Sequence, residues 1–440
     1  MQKKIIILIS VAALVILIIF GVYFFLNLKT NPAGGGTTPQ GLTLFGKKTT
    51  PSAAVQTEAP TTEGELIPTE EQKQIAPVKL FQITKVPTAG AIAIQKERPI
   101  ESLTPAPVIP DINATSTTSI PTIVVKNTET VPALRYVESS TGNIYETFVD
   151  KIDEKRISDT TIPNIHDAFF VDNGNAVVLR YLRDDGRTIE SFLGQIKKVV
   201  LGGDASIELK GSFLPQNIID LSVSSDLKNF FYLFEFGDGV TGINTFAADQ
   251  KKVQIFDSPF TEWISAWANS RLITLTTKAS YKYAGFLYAL DPQSKSFNKV
   301  LSNILGLTTL ASPGGKSILY SGSDLGLKIF DMDKKTSTDL GLRGLPEKCA
   351  WGSGSENVYC AIPSNPSTGK YPDDWYQGSV SFNDVIWKIN TKTNAAQMLA
   401  DPIQAAKVVM DGTRLFLDQK ENYLFFFNKK DSTLWGLGLK

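Results

Sequence analysis

An all-β fold built from repeated four-stranded units is predicted by two features of this sequence. Short apolar runs rich in strand-forming residues alternate with turns that contain Gly, Pro, Asn or Asp. The clearest example is segment 308–334, where three such runs are separated by the turns 312–316 and 322–324. The unit recurs at intervals of about 40 to 50 residues, which is the period of propeller blades with four strands each.

The third strand of each unit ends near a polar turn and can therefore be counted. We expect these strands at 143–150, 188–196, 242–248, 285–291, 326–333, 384–390 and 433–438. The repeat length is measured between corresponding positions at the ends of these strands, which are Asp150, Lys197, Asp249, Asp291, Asp333, Asn390 and Gly438. The count predicts an all-β, seven-bladed β-propeller, with six or eight blades as the alternatives.

Both ends of the propeller segment, residues 78–440, contribute to closing the ring in this prediction. The chain ends at Lys440, directly after the third strand of the seventh unit, so that unit lacks its outer strand. Segment 79–84 is apolar enough to fill the vacancy and remove an exposed sheet edge. The first blade then uses 91–94 and 133–138, with a flexible insertion at 95–131 between them.

The N-terminal segment predicts a membrane anchor. Residues 5–26 are apolar apart from Ser10 and Gly21, a length that spans a bilayer as a helix. Lys3 and Lys4 place the short N-terminus, residues 1–4, in the cytoplasm. A cleaved signal peptide is the rival prediction. Residues 27–77 are rich in Pro and Thr and predict a disordered stalk, so we expect an extracytoplasmic propeller, either periplasmic or at the cell surface.

Composition excludes several classes of function. The chain has 44 basic and 44 acidic residues, which gives no electrostatic footprint for nucleic acid. One His and two Cys leave no ligand set for a zinc site, and a Ser-His-Asp triad would have to use His166. Gly315, Lys316 and Ser317 are followed by a strand pattern rather than the helix that a phosphate loop requires. We therefore expect no cofactor, no metal and no enzymatic activity.

One unit resembles a known family. Segment 312–320, SPGGKSILY, followed by 327–337, LKIFDMDKKTS, is similar to the repeat of TolB-type propellers, within the broader group of WD-repeat-like propellers. Gly314 stands where that family has Asp. The resemblance covers 79–440 at the level of blades and implies a propeller that serves protein contacts in bacterial envelopes. The membrane anchor and the seven units depart from a soluble six-bladed periplasmic protein.

Cys349 and Cys360 flank a predicted hairpin turn. If Gly354 and Ser355 centre a loop of even length, the two cysteines lie directly opposite each other on paired strands. A disulfide is the prediction for an extracytoplasmic domain, and a pair of reduced, buried thiols is the alternative.

Loops between second and third strands, and loops between blades, emerge on one face of a propeller. The longest is 363–383, which carries the candidate binding residues Tyr371, Asp373, Asp374, Trp375 and Tyr376. Connections with His166 and Trp263 share that face. We expect a protein-interaction or envelope-assembly module, although these aromatics could instead pin the loop to its own blade. The alternative function is a carbohydrate-binding or hydrolytic propeller with Asp167, Asp220, Asp373 or Asp374 at the channel mouth.

Overall fold

The structure is a computed structural model, and it describes residues 80–99, 128–201 and 204–440. The predicted transmembrane helix, the stalk and most of the predicted insertion lie outside these residues. Within the described ranges, no helix is long and apolar enough to span a membrane.

Blades one to three come first in the chain, and each is one antiparallel four-stranded sheet. Blade one comprises β2 (Thr88–Pro99), β3 (Thr128–Glu138), β4 (Ile144–Phe148) and β5 (Lys155–Arg156). Blade two comprises β6 (Ile165–Val171), β7 (Ala176–Leu182), β8 (Ile189–Leu201) and β9 (Asp204–Phe213). Blade three comprises β10 (Ile218–Val223), β11 (Asn229–Phe236), β12 (Gly239–Phe246) and β13 (Lys252–Ser258).

Blades four to six continue the same order from the inner strand to the outer strand. Blade four comprises β14 (Trp263–Asn269), β15 (Leu272–Thr277), β16 (Ala284–Leu290) and β17 (Phe297–Leu305). Blade five comprises β18 (Thr308–Ala311), β19 (Ser317–Ser321), β20 (Gly326–Asp331) and β21 (Thr336–Arg343). Blade six comprises β22 (Cys349–Trp351), β23 (Asn357–Pro363), β24 (Asp384–Asn390) and β25 (Ala396–Ala400).

Blade seven closes the ring with strands from both ends of the described chain. It comprises β26 (Gly412–Leu417), β27 (Tyr423–Asn428) and β28 (Thr433–Gly438), with β1 (Leu80–Gln82) as its outer strand. Phe81 pairs with Gly436, and the backbone N–H of Ile83 donates to the carbonyl of Leu434. The seven-bladed count and the closure by the N-terminal segment are confirmed.

Short helical elements occur only in connections of the described chain. These are α1 (Asp373–Tyr376), α2 (Pro402–Ala406) and the 3₁₀ turns Asp172–Gly174 and Pro346–Lys348. Pro402 at the first turn of α2 and Asp401 as its N-cap account for the start of that helix. Asp401 accepts hydrogen bonds from the backbone N–H groups of Ile403 and Gln404.

The core is divided into layers between neighbouring blades. Each of the seven blade interfaces has its own cluster of buried apolar side chains. The inner strands approach closely, since a Cβ at Gly90 would lie 2.0 Å from the carbonyl oxygen of Ala168. Gly90 therefore permits blades one and two to pack at the axis, where a larger residue would push them apart.

Several predicted boundaries differ from the structure. β2 continues to Pro99 and β3 begins at Thr128, so both enter the predicted insertion, because their residues pair along the whole hairpin from Thr88 to Glu138. The turns after the third strands of blades three and five begin at Phe246 and Asp331, not at Asp249 and Asp333. Each turn is closed by a backbone hydrogen bond: the N–H of Gln250 donates to the carbonyl of Phe246, and the N–H of Lys335 donates to the carbonyl of Asp331.

Candidate functional site

The strand order assigns every connection to one of two faces. The chain reverses at each strand, so loops between second and third strands and loops between blades emerge together on what we call the upper face. The loops between first and second strands and between third and fourth strands form the lower face. Leu80, Pro99 and Thr128 all lie at lower-face ends of their strands. The upper face is therefore opposite the point where the described chain begins.

Large exposed aromatic side chains concentrate on one arc of the upper face. The four most exposed in the described ranges are Phe213, Phe236, Phe260 and Tyr283, at 60%, 72%, 70% and 73% exposure. They occupy, in order, the end of β9, the end of β11, the connection between blades three and four, and the loop after β15. We call these four residues the aromatic arc. It runs over adjacent blades two to four.

The predicted binding loop of blade six is held by its own aromatics. Tyr371 and Trp375 are buried with Phe382 against Leu325 and Leu345. Their side chains offer no surface to a partner in this conformation, because they fill the space between the loop and blades five and six. This placement matches the alternative that the aromatics pin the loop.

The two acids of the same loop also have structural partners. Asp373 accepts hydrogen bonds from the hydroxyl of Ser280 at 3.1 Å and the backbone N–H of Tyr281 at 2.6 Å. Asp374 accepts from the backbone N–H of Lys370 at 2.7 Å. Asp373 thus ties the loop of blade six to blade four, two blades away.

Tyr376 and Trp263, two further predicted binding residues, differ in solvent exposure. Tyr376 is partly exposed and its hydroxyl donates to a carboxylate oxygen of Glu347. Trp263 is buried, and its indole N–H donates to the carbonyl of Phe260 at 2.8 Å. Trp263 therefore supports Phe260 of the aromatic arc from below.

A group of charged side chains surrounds the upper mouth of the central channel. His166 and Asp167 begin the inner strand of blade two, with Nδ1 and Oδ2 3.2 Å apart, and Arg180 reaches the same carboxylate at 3.5 Å. Arg414 enters from blade seven, where its guanidinium lies 4.1 Å from the centre of the Phe427 ring. Below the mouth is a cavity of about 690 Å³ whose lining includes Asp167 and Arg414.

Two further carboxyls of the upper face, Asp220 on blade three and Glu347 before blade six, have raised pKa values. Burial raises the pKa of Asp220, although the hydroxyl and backbone N–H of Ser265, both at 2.6 Å, favour its charged form. Burial also raises the pKa of Glu347, while Tyr376 and Lys348 act against the rise. The negative charges of Asp220 and Glu347 repel each other, which adds to the rise for Glu347.

The pKa of Asp167 at blade two is shifted in the opposite direction. Burial raises the pKa of Asp167, but His166, Arg180 and Arg414 outweigh it and leave the pKa below the usual value. The hydrogen bond to Asp167, and then its charge, raise the pKa of His166. One mouth therefore holds both easily protonated and firmly charged carboxyls, an arrangement suited to proton transfer.

A buried ionic cluster lies beneath the loop of blade six. Lys348, Asp384 and Asp411 are fully buried, and Lys348 Nζ lies 2.8 Å from Asp384 Oδ2 and 2.5 Å from Asp411 Oδ1. Sequence reasoning missed this cluster and also Glu347, Arg180 and Arg414. The sequence offered one indication of the cluster. Asp384 opens a strand and Asp411 precedes one, and side chains at such strand ends can contact those of neighbouring connections.

Cys349 and Cys360 are direct partners on β22 and β23. Their Cα atoms are 4.1 Å apart and the sulfurs lie at bonding distance. The hairpin register agrees with the prediction, and the redox state in the cell stays a prediction. No group of three or more acids, His or Cys in the described ranges is arranged to hold a metal ion.

Comparisons with known proteins give no family. No family model and no curated protein matches the sequence. Among solved structures, an oligogalacturonate lyase in complex with manganese is 10% identical, covers 70% of this chain and 86% of its own, and has a TM-score of 0.42. The oligogalacturonate lyase of Vibrio parahaemolyticus is 9% identical with the same coverage and TM-score.

The tricorn protease is similar over 67% of this chain and 32% of its own, at 9% identity and a TM-score of 0.34. Likenesses this weak carry no argument about what the present chain does. Function has to be argued from the site itself.

Proposed function

We propose that this chain is a membrane-anchored, extracytoplasmic propeller that binds a partner protein through the aromatic arc of its upper face. The membrane anchor rests on the apolar run 5–26 and the two lysines before it. The observation that carries the binding function is the aromatic arc. Exposed aromatics on neighbouring blades are typical of protein interfaces, where Tyr and Phe supply contact area at low entropic cost.

The distribution of exposed side chains supports this choice of face. In the described ranges, the exposed aromatics of the lower face are Phe246 and Phe297, which are only 38% and 39% exposed. Adjoining the arc, a groove of about 610 Å³ lies on blade three beside Phe236. The chain enters at the opposite face, so a partner on the arc would not compete with the segment that leads to the predicted anchor.

Site-directed photo-crosslinking of the full-length protein in membranes tests this proposal. A photoreactive residue at Phe236 or Phe260 should capture the same protein, while one at Phe246 or Met398, exposed at the lower face and outer rim, should not. The double substitution Phe236→Ser and Phe260→Ser should remove that crosslink when the probe is at Tyr283. Equal capture from both faces, or capture that survives the double substitution, would reject the arc as the interface.

A second candidate function is binding or hydrolysis of carbohydrate at the channel mouth. It is favoured by the raised pKa values of Asp220 and Glu347 on the same face as the lowered pKa of Asp167, because acid–base catalysis uses carboxyls of different protonation. A glycan array and a hydrolase screen would test it. Binding or turnover that is lost in both Asp220→Asn and Glu347→Gln supports this function, and no signal with the wild type removes it.

A further inference from the structure

Lys348 is fully buried, and its ammonium meets two buried carboxyls. It lies in the connection between blades five and six, while Asp384 opens β24 and Asp411 precedes β26. All three side chains have no exposed surface. A single ammonium between two carboxylates carries a net negative charge, which is costly to keep away from water.

The cluster is covered by aromatic rings rather than by solvent. Lys348 Nζ is 5.1 Å from the ring centre of Trp375 and 5.2 Å from that of Phe382. The same loop donates hydrogen bonds to Asp411 from the indole N–H of Trp375, at 3.1 Å, and from the backbone N–H of Phe382, at 3.0 Å. The loop of blade six therefore both excludes water and holds Asp411 in place.

The two carboxyls are not equivalent. Both oxygens of Asp411 accept hydrogen bonds. Burial raises its pKa, but the charge of Lys348 and the hydrogen bonds from Lys348, Phe382 and Trp375 together outweigh burial and leave the pKa below the usual value. Asp384 accepts from the backbone N–H of Gly412 at 2.6 Å through Oδ2, but its buried Oδ1 has no partner. Burial raises the pKa of Asp384 to about 6. One acid is thus easily neutralised and the other stays charged.

We propose that Lys348 and Asp384 condense to form an intramolecular amide bond, with Asp411 as the group that transfers the proton. The reactants already touch, water is excluded, and a carboxylate lies within hydrogen-bond reach of the nucleophile. These are the conditions under which a buried amine is an effective nucleophile.

The condensation balances without any other reactant. The ammonium of Lys348 gives a proton to Asp384, which leaves a neutral amine beside a neutral acid. The amine lone pair forms a bond to Cγ of Asp384, and Asp411 accepts one proton from the nitrogen. Asp411 returns that proton to the departing hydroxyl, the C–O bond breaks, and one water molecule leaves.

Two features of the site favour the tetrahedral intermediate of this reaction. The backbone N–H of Gly412 is aimed at Asp384 Oδ2, where negative charge develops. The unpartnered Oδ1 is free to become the leaving hydroxyl. The product would replace three buried charges by one, which is held by the donors around Asp411.

The amide would connect the entry of blade six to its third strand. It would close the loop from residue 348 to 384, which includes the paired Cys349 and Cys360 and the whole insertion above them. Unlike a disulfide, this link would survive reducing agents and denaturants.

Mass spectrometry of the intact, denatured and reduced full-length protein tests the proposal. We expect a mass lower than that of the sequence by one water molecule. Trypsin should fail to cleave after Lys348, and fragmentation should locate the link between Lys348 and Asp384. A mass equal to that of the sequence overturns the proposal, and a link from Lys348 to Asp411 overturns the assignment of Asp384.

Variants test the roles of the three residues. Lys348→Arg, Asp384→Ala and Asp411→Asn should each restore the full mass. The matched control is Lys392→Arg, because Lys392 pairs with Glu356 in the same blade at an exposed position and should not affect the loss of water. Loss of water that persists in Lys348→Arg would overturn the proposal. The wild-type mass decides the question even where a variant fails to fold.

Discussion

The two faces of the propeller satisfy their polar groups in different ways. On the lower face, the turns after β16 and β20 are closed within themselves, since Asp291 and Asp331 accept hydrogen bonds from backbone N–H groups two and three residues later. On the upper face, side chains reach across blades, as Asp373 does to Tyr281 and as Asp220 does to Ser265. The lower-face turns are therefore stabilised locally, whereas the candidate site of the upper face is formed by contacts between blades.

The pKa values of Asp331 on the lower face and of Asp220 and Glu347 on the upper face follow the same division, and Asp167, whose pKa is lowered by His166 and two arginines, is an exception on the upper face. The backbone N–H of Lys334 is the largest of the influences that lower the pKa of Asp331 at the lower face. Burial raises the pKa values of Asp220 and Glu347 at the upper face. In an exposed turn, hydrogen bonds from backbone N–H groups stabilise the charged carboxylate while it remains hydrated, so its pKa falls. At the channel mouth, the loss of hydration outweighs the hydrogen bonds to Asp220 and Glu347, so their pKa values rise.

Removing the strand that closes the ring should have the largest effect, because both faces depend on the closed ring. Deletion of residues 80–84 exposes the edge of β28 and removes the buried Ile83. The single substitution Ile83→Ala should already cost about 2 to 5 kcal/mol of unfolding free energy.

Urea unfolding of the deletion and of Ile83→Ala measures this effect. Val86→Ala is the control, since Val86 lies in the same connection but is exposed, and should change stability by less than about 0.5 kcal/mol. If the deletion unfolds at the same urea concentration as the wild type, the closure is not needed for stability and the blade count must be revised.

A smaller difference is expected between aromatics of the two faces. Trp375→Ala should cost about 3 to 5 kcal/mol, because the ring is buried and its indole N–H binds the buried Asp411. Phe246→Ala on the lower face should cost much less, since that ring is partly exposed. Urea unfolding measures the loss of unfolding free energy in each variant. Limited proteolysis should cleave the Trp375→Ala variant within residues 364–383. Equal costs would show that the loop does not depend on Trp375.

The smallest effect is a difference in pH dependence. The lowered pKa of Asp331 contributes stability that is present above its ordinary pKa and is lost as pH falls through the folded-state value. The raised pKa of Asp220 has the opposite sign, because stability falls as pH rises from the ordinary pKa towards the raised one.

Unfolding free energies of Asp331→Asn and Asp220→Asn, measured from acidic to neutral pH, separate the two signs. Relative to wild type, Asp331→Asn should lose stability as pH rises and Asp220→Asn should gain it. Slopes of the same sign for both variants would contradict the division between the faces.

Much of the fold could be predicted because the signals were local. The third strands Asp384–Asn390 and Thr433–Gly438 have the predicted bounds, since a run of apolar residues between polar turns defines a strand without reference to its neighbours. The extension of β2 to Pro99 was missed because its residues, Gln95 to Arg98, are polar and pair on a hairpin that projects beyond the blade.

The site was predictable only in outline. The alternation of strand direction predicted that His166, Asp167 and the 363–383 segment lie on one face, but it did not predict which of their side chains are buried. Tyr371 and Trp375 share their residue type with exposed contact residues, yet the space between blades five and six buries them. Phe236 and Phe260, in contrast, are exposed.

The sequence by itself determined the repeat and the number of blades, because both rest on hydrophobic periodicity and turn chemistry within about 50 residues. The outer strand that the seventh unit lacks then indicated the ring closure by the N-terminal segment. Only the tertiary structure decided which charges meet. Lys348, Asp384 and Asp411 are separated by 36 and 27 positions in the sequence, and they come together because Asp384 opens a strand at the upper face, where the connections that carry Lys348 and Asp411 also lie. Burial there removes water from all three charged groups, which is the condition on which the proposed condensation depends.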